Sequence, residues 1–132
     1  YFMLKQVNRL KKTRDFNLIL KHGQWTRGRF LDIKYLKLAE AVNYFPKKEA
    51  RESFKNQLKL AVVVGVKVSK SAVRRNRLKR QTREVVRLLL KDNQLIDGYY
   101  LMLLAKKEML DKTYAEISEE VKVLLNKILK KY

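Results

Sequence analysis

Val62-Val63-Val64-Gly65-Val66 runs directly into Lys67-Val68-Ser69-Lys70-Ser71-Ala72-Val73-Arg74-Arg75-Asn76-Arg77-Leu78-Lys79-Arg80-Gln81-Thr82-Arg83-Glu84-Val85-Val86-Arg87, and the fold turns on how this stretch is read. Its first part is apolar and β-branched with a glycine near the end, the pattern of a buried strand. Its second part sorts into two faces when placed at roughly 100° per residue. Leu78, Thr82, Val85 and Leu89 fall within an arc of about 60° and form the buried stripe. Arg75, Asn76, Arg77, Lys79, Arg80, Arg83 and Arg87 cover the opposite arc, with Val86 and Leu90 at its edge. The stretch therefore predicts a strand followed by an amphipathic helix that carries a guanidinium-rich ridge.

Charged helix faces are usually only solvated, but this one has almost a single sign. Of the charged residues from Lys70 to Lys91, nine are basic and one, Glu84, is acidic. Like charges at i,i+4 destabilise a helix, and a merely soluble helix mixes Glu with Lys. A ridge of this kind points to a polyanion.

The residues of the ridge resemble the protein subunit of bacterial ribonuclease P. The mark of that family is an Arg-Asn-Arg motif followed by a hydrophobe and two basic residues, at the start of a helix that follows a buried strand. Arg75-Asn76-Arg77-Leu78-Lys79-Arg80 matches it in full, and Ala72-Val73 before it and Arg83-Glu84 after it also fit. Upstream the chain departs from the family: the usual lead-in is Ser-Lys-Lys-x-Gly, and no glycine stands near Lys70.

The rest of the composition agrees with an RNA-binding domain. The chain has 132 residues, a hydrophobic fraction of 46%, a net charge of +19 and a pI near 10.2. That length is most economically one domain with one core. Residues 1–38 carry ten basic and two acidic side chains, and residues 58–91 carry eleven and one. Residues 92–132 carry seven of each, so the C-terminal third is expected to face away from the partner. There is no cysteine, which suits a reducing cytosol. No apolar run approaches the ~20 residues that span a bilayer, and Lys5 interrupts any signal-like start. The reading is a soluble cytoplasmic chain with no membrane association.

Taken in order, residues 1–12 read as a basic arm. Thr13 is a candidate N-cap for a short helix over 14–22, with Gly23 as the C-cap glycine. Phe16, Ile19 and Leu20 share one side of that helix, and Phe16 could belong to the core or to a binding surface. His22 is read as a partner of the helix dipole. Phe30–Leu38 alternates as a strand, with Leu31, Ile33 and Tyr35 on one face. Residues 39–57 form a long connection, a hairpin or an extra helical turn. Leu58–Val66 and Tyr99–Ala105 read as strands, the second buried on both sides. Thr113-x-x-Glu116 is a capping box, followed by the stripe Ile117, Val121, Leu124, Leu125 and Ile128. Glu116 and Glu120 are read as structural.

The resemblance implies an α+β fold for the whole of 1–132: α-β-β-β-α-β-α around a four-stranded sheet. The strand–helix–strand unit would by default cross over right-handed, whereas the family uses a left-handed crossover that exposes the basic helix. The resemblance also implies that Arg74, Arg75, Asn76, Arg77, Lys79, Arg80, Arg83 and Arg87 contact the catalytic ribonuclease P RNA. Lys12, Phe16, Leu20, Phe30, Tyr35, Lys67 and Lys70 would line a cleft for the 5′ leader of precursor tRNA. Leu10-Lys11-Lys12, Asp15-Phe16 and Lys21-His22-Gly23 match the family's opening, while Leu20 replaces a second aromatic.

Hydrolysing a phosphodiester needs clustered carboxylates with metals, or an acid–base pair. The basic portions offer Asp15, Asp32 and Glu84 at unrelated spacings. No catalytic or metal-binding residue is expected on this chain. The family implies that the RNA subunit is the catalyst, with Mg²⁺, and no protein partner is implied. The rival readings are a structural RNA-binding protein such as a ribosomal component, and a self-sufficient metal nuclease.

Overall fold

The computed structural model describes residues 9–47, 57–91 and 98–130. The elements run α1 (Thr13–His22), β1 (Gln24–Arg27), β2 (Leu31–Lys37), β3 (Leu58–Val63), α2 (Ala72–Lys91), β4 (Tyr99–Ala105) and α3 (Tyr114–Lys130). This is the expected α-β-β-β-α-β-α order in one α+β domain. The sheet order is β1-β2-β4-β3. β2 pairs antiparallel with β1 and with β4, and β3 lies parallel to β4, with α2 connecting that pair.

The two-residue period of the strands divides the core in two. Leu31, Ile33 and Tyr35 of β2, Leu58, Leu60 and Val62 of β3, and Tyr99, Leu101 and Leu103 of β4 face α2 and α3. There they meet Leu78, Val85, Val86 and Leu89 of α2 and Ile117, Val121, Leu124 and Ile128 of α3. Leu36, Tyr100 and Met102 face the other way, against Ile19 of α1 and Leu38, Ala41 and Phe45. β4 is apolar throughout because helices cover both its faces.

The buried stripe of α2 is as read from the sequence, with Thr82 fully buried and its hydroxyl donating to the Leu78 carbonyl at 2.8 Å. Val86, expected at the edge of the basic arc, is buried as well, in the same core cluster as the α3 stripe. The capping box also forms: Thr113 N–H donates to Glu116 Oε1 at 3.1 Å, and Glu116 N–H donates to Thr113 Oγ1 at 3.3 Å. Glu120 is buried rather than solvated. One of its oxygens accepts the Arg29 and Phe30 N–H groups, both at 3.0 Å, which pins α3 to the β1–β2 turn.

Several boundaries differ from the sequence reading. Thr13 is the first helical residue, Lys12 occupies the cap position, and no side chain caps α1. Gly23 does end the helix, but with φ −71° and ψ 159°. A Cβ there would lie 2.4 Å from the Ile19 carbonyl oxygen, so a close approach requires the glycine. Gly98 is the one with positive φ, 89°; its N–H donates to Gln57 O and its own carbonyl accepts from Leu38. β3 stops at Val63, three residues before the expected Val66. The tail of the basic arm is ordered along the sheet, since Leu10 N–H donates to Leu60 O at 2.8 Å and Leu10 is buried. In the long connection, 3-10 turns occupy Leu38–Glu40 and Val42–Tyr44, and residues 48–56 lie outside the described residues.

Candidate nucleic-acid interface

The chain leaves β3, turns at 65–68 over the buried Val68, and enters α2 through two serines. Ser69 Oγ accepts the Ser71 N–H at 3.2 Å, and Ser71 Oγ accepts the Arg74 N–H at 3.3 Å, a side-chain N-cap. The first turn of α2 holds no acidic residue. Lys70, Arg74, Arg75 and Arg77 therefore add charge to the positive end of the helix dipole, an arrangement that favours a bound anion.

Of the ridge, Arg74, Asn76, Arg77, Arg80 and Arg83 are exposed, and Arg75, Lys79 and Arg87 are half-buried. Two members are already engaged. The Arg75 guanidinium donates to the Ser69 carbonyl at 2.8 Å, and Arg87 makes a bidentate pair with Glu84 at 2.6 and 3.1 Å. The Arg87 hydrogen bonds hold the Glu84 carboxyl below its ordinary value. Arg74, Arg77, Lys79, Arg80 and Arg83 have no acidic partner among the described residues. The ridge is thus a row of uncompensated cations on a rigid helix, suited to phosphates.

The second predicted surface is brought together only in part. Phe16 is half-buried against the α1-side core, Leu20 is 54% exposed, and Lys12 is exposed at the start of α1. Phe30 and Tyr35 do not join them. They are 4% and 1% exposed, and both sit in the core beneath α2 and α3, on the opposite face of the sheet from α1. Alternation in β2 points Tyr35 away from α1, and its hydroxyl donates to Gln24 Oε1. No face of either ring is open to a base. Lys67 and Lys70 stand exposed in the turn that joins β3 to α2.

What the α1 face does present is Trp25. Its ring carries the Arg27 guanidinium at 4.0 Å and the Lys34 ammonium at 5.1 Å. Lys34 is itself nearly buried and donates to the Leu20 carbonyl at 2.7 Å, securing the C-terminal turn of α1. Sequence reasoning missed this group, although Trp25 and Arg27 alternate in β1 and so share a face. His22, read as a dipole partner, stacks on Tyr44 with ring centroids 3.9 Å apart.

Carboxylates near these surfaces are held by local cations. Asp32 sits between Arg27 at 3.0 Å and Lys106 at 3.2 Å and accepts the Gly28 N–H. Burial alone would push its carboxyl up, but those three donors outweigh burial and hold it below the ordinary value. Asp15 is buried and paired with Arg14 at 3.0 Å. Among the described residues no three His, Asp or Glu gather into a group able to hold a metal ion, and no helix is long and apolar enough to cross a membrane. The described side chains thus offer no group that fits a metal ion.

Comparison with known proteins gives a consistent answer. Residues 4–129 match the family model described as Ribonuclease P. The chain is 34% identical to the ribonuclease P protein component of a Synechococcus strain, over 95% of this chain and 84% of that one. It is 35% identical to that of Clostridium kluyveri, over 92% and 94%. The fold superposes on the ribonuclease P proteins of Staphylococcus aureus and Thermotoga maritima, each with a TM-score of 0.69, at 22% and 24% identity and over 93% and 90% of this chain. Those two structures are covered to 96% each. The matches are ribonuclease P proteins and not ribosomal ones, and the chain belongs to the ribonuclease P protein family, the protein components of an RNA–protein endoribonuclease of tRNA processing.

Proposed function

We propose that α2 docks on the catalytic RNA through Arg74, Arg77, Lys79, Arg80 and Arg83, while the α1 side of the sheet receives the 5′ leader of precursor tRNA. The observation that carries this reading is the run of exposed cations on α2 with no acidic partner among the described residues. Arg75 and Asn76 complete the motif, Arg75 by shaping the loop and Asn76 by presenting an amide beside the ridge. Arg87 contributes length more than charge, since Glu84 already neutralises it. On the leader side, Phe16 and Trp25 offer aromatic surface, Leu20 an apolar step and Lys12 a phosphate contact, with Lys67 and Lys70 as charges at the α2 end.

The chemistry follows from what this chain has and lacks. Its cations neutralise phosphates and bring two RNAs together. Mg²⁺ held by the RNA would supply the activation of water, and no step is assigned to a side chain here. The working compartment is the cytoplasm, where precursor tRNA is available.

The test is the affinity of the chain for a cognate catalytic RNA across a salt series. Arg77→Ala/Arg80→Ala/Arg83→Ala should flatten the dependence of log K on log salt by roughly 2 to 3 units, about 0.7–0.9 for each lost contact. An unchanged slope in a folded variant would remove α2 from the interface.

A further inference from the structure

The C-terminal third is neutral in sum, yet it sets two lysines opposite the basic ridge. The 3-10 turn Lys107–Asp111 faces the first half of α2 across a cleft of about 460 Å³. Arg74, Arg77 and Gln81 of α2 line one side, at i, i+3 and i+7 and so on one helix face. Lys107 and Lys112 line the other. Apolar contact comes only from Leu78 and Leu110, so the cleft is built for a polar, anionic occupant rather than an apolar one.

The cations in it are available. Arg74, Arg77 and Lys107 are exposed and have no acidic partner among the described residues. Lys112 lies 3.9 Å from Glu116, a solvent-facing pair that is readily exchanged. Two carboxylates, Glu108 and Asp111, also line the cleft; they balance the two lysines of that wall, and the net charge of +2 is that of Arg74 and Arg77. Carboxylate and amide oxygens cannot bond a phosphate oxygen, but they can accept from a ribose 2′-hydroxyl. Cations on two sides with acceptors among them match an RNA backbone better than a free anion.

We infer that this cleft clamps a segment of the catalytic RNA, with Lys107 and Lys112 contacting phosphates from the side opposite Arg74 and Arg77. The inference rests on the reading of α2 as an RNA-binding ridge and extends it to a second wall. The C-terminal segment, expected from its charge to face away from the partner, then supplies part of the binding surface.

The experiment measures binding of the full chain to catalytic RNA over a salt series for Lys107→Ala/Lys112→Ala, with Arg80→Ala as the ridge reference and Lys127→Ala, on the far part of α3, as the control. The double variant should keep its melting temperature, weaken binding and flatten the salt slope by roughly 1.5 units, while Lys127→Ala behaves as wild type. If Arg80→Ala flattens the slope and the double variant does not, the clamp is wrong and the ridge stands. If neither changes it, the ridge reading fails and the clamp with it. Because the chain has no cysteine, Lys107→Cys gives a unique tether for an iron chelate that cuts nearby RNA. Discrete cuts in the catalytic RNA from position 107, absent from Lys127→Cys, support the clamp whatever the alanine variants do to stability; no discrete cuts would overturn it.

Discussion

The Arg75 guanidinium reaches back 2.8 Å to the Ser69 carbonyl, so the first arginine of the Arg-Asn-Arg motif fastens the loop that leads into its own helix. Arg75 and Arg80 therefore have different jobs despite sharing one ridge. Arg75→Ala should cost about 1 kcal/mol of stability, the net worth of such a bond, as well as RNA affinity. Arg80→Ala should change stability by less than about 0.5 kcal/mol and affect RNA affinity alone. Denaturant unfolding of the two variants checks this; equal stabilities would mean that the Ser69 contact does not matter.

Glu120 is the buried link between α3 and the β1–β2 turn, and its removal leaves the Arg29 and Phe30 N–H groups without an acceptor. Glu120→Ala should cost about 2–3 kcal/mol, and Glu120→Gln, whose carbonyl can still accept, should cost less. Neither should alter the salt slope for RNA binding. Thermal unfolding ranks the pair, and a Gln variant as unstable as the Ala variant would contradict the assignment.

Asp32 makes stability depend on acid. Its folded-state carboxyl is held below the ordinary 3.8, so its contribution is fully present above that value and is lost as pH falls through the lower folded value. Wild type should exceed Asp32→Asn in stability near neutrality, and the gap should close as pH falls below about 4. Urea unfolding of both proteins from about pH 6 to about pH 2 measures it. A gap that widens in acid would show that the Arg27 and Lys106 contacts do not favour the carboxylate.

Phe16 is half-buried, with part of its ring against the α1-side core. If its open part stacks on the leader, Phe16→Ala should weaken holoenzyme binding of precursor tRNA by about 1–3 kcal/mol and leave mature tRNA unchanged. Leu20, one turn on and 54% exposed, should tighten leader binding when changed to Phe. A loss of about 3–5 kcal/mol in stability with equal effects on both tRNAs would instead make Phe16 a core residue only.

Periodicity carried most of the fold. The apolar spacing of α2, the capping box of α3 and the continuous apolar run of β4 are local patterns with local causes, and each appears where the sequence places it. What depends on which element covers which face was not legible. The alternation of β2 puts Tyr35 and Leu36 on opposite faces but does not say that α1 covers the Leu36 side. The resemblance puts Phe30 and Tyr35 in the leader cleft and omits Trp25, whereas the fold buries the first two beneath α2 and α3 and sets Trp25 on the α1 face. Gly23 reads as a C-cap glycine, yet its need arises from the approach of the Ile19 carbonyl within α1's last turn. The cleft at Lys107 was invisible for a third reason: it sets a 3-10 turn against one face of α2, a juxtaposition that only the fold makes.

If this chain binds and its RNA partner cleaves, reconstitution separates the two roles most directly. Purified protein freed of RNA, incubated with precursor tRNA and Mg²⁺, should yield no 5′ cleavage, and addition of a cognate catalytic RNA should yield cleavage at the mature 5′ end. Specific cleavage by the protein alone, or none when both subunits are present and bound, would contradict it.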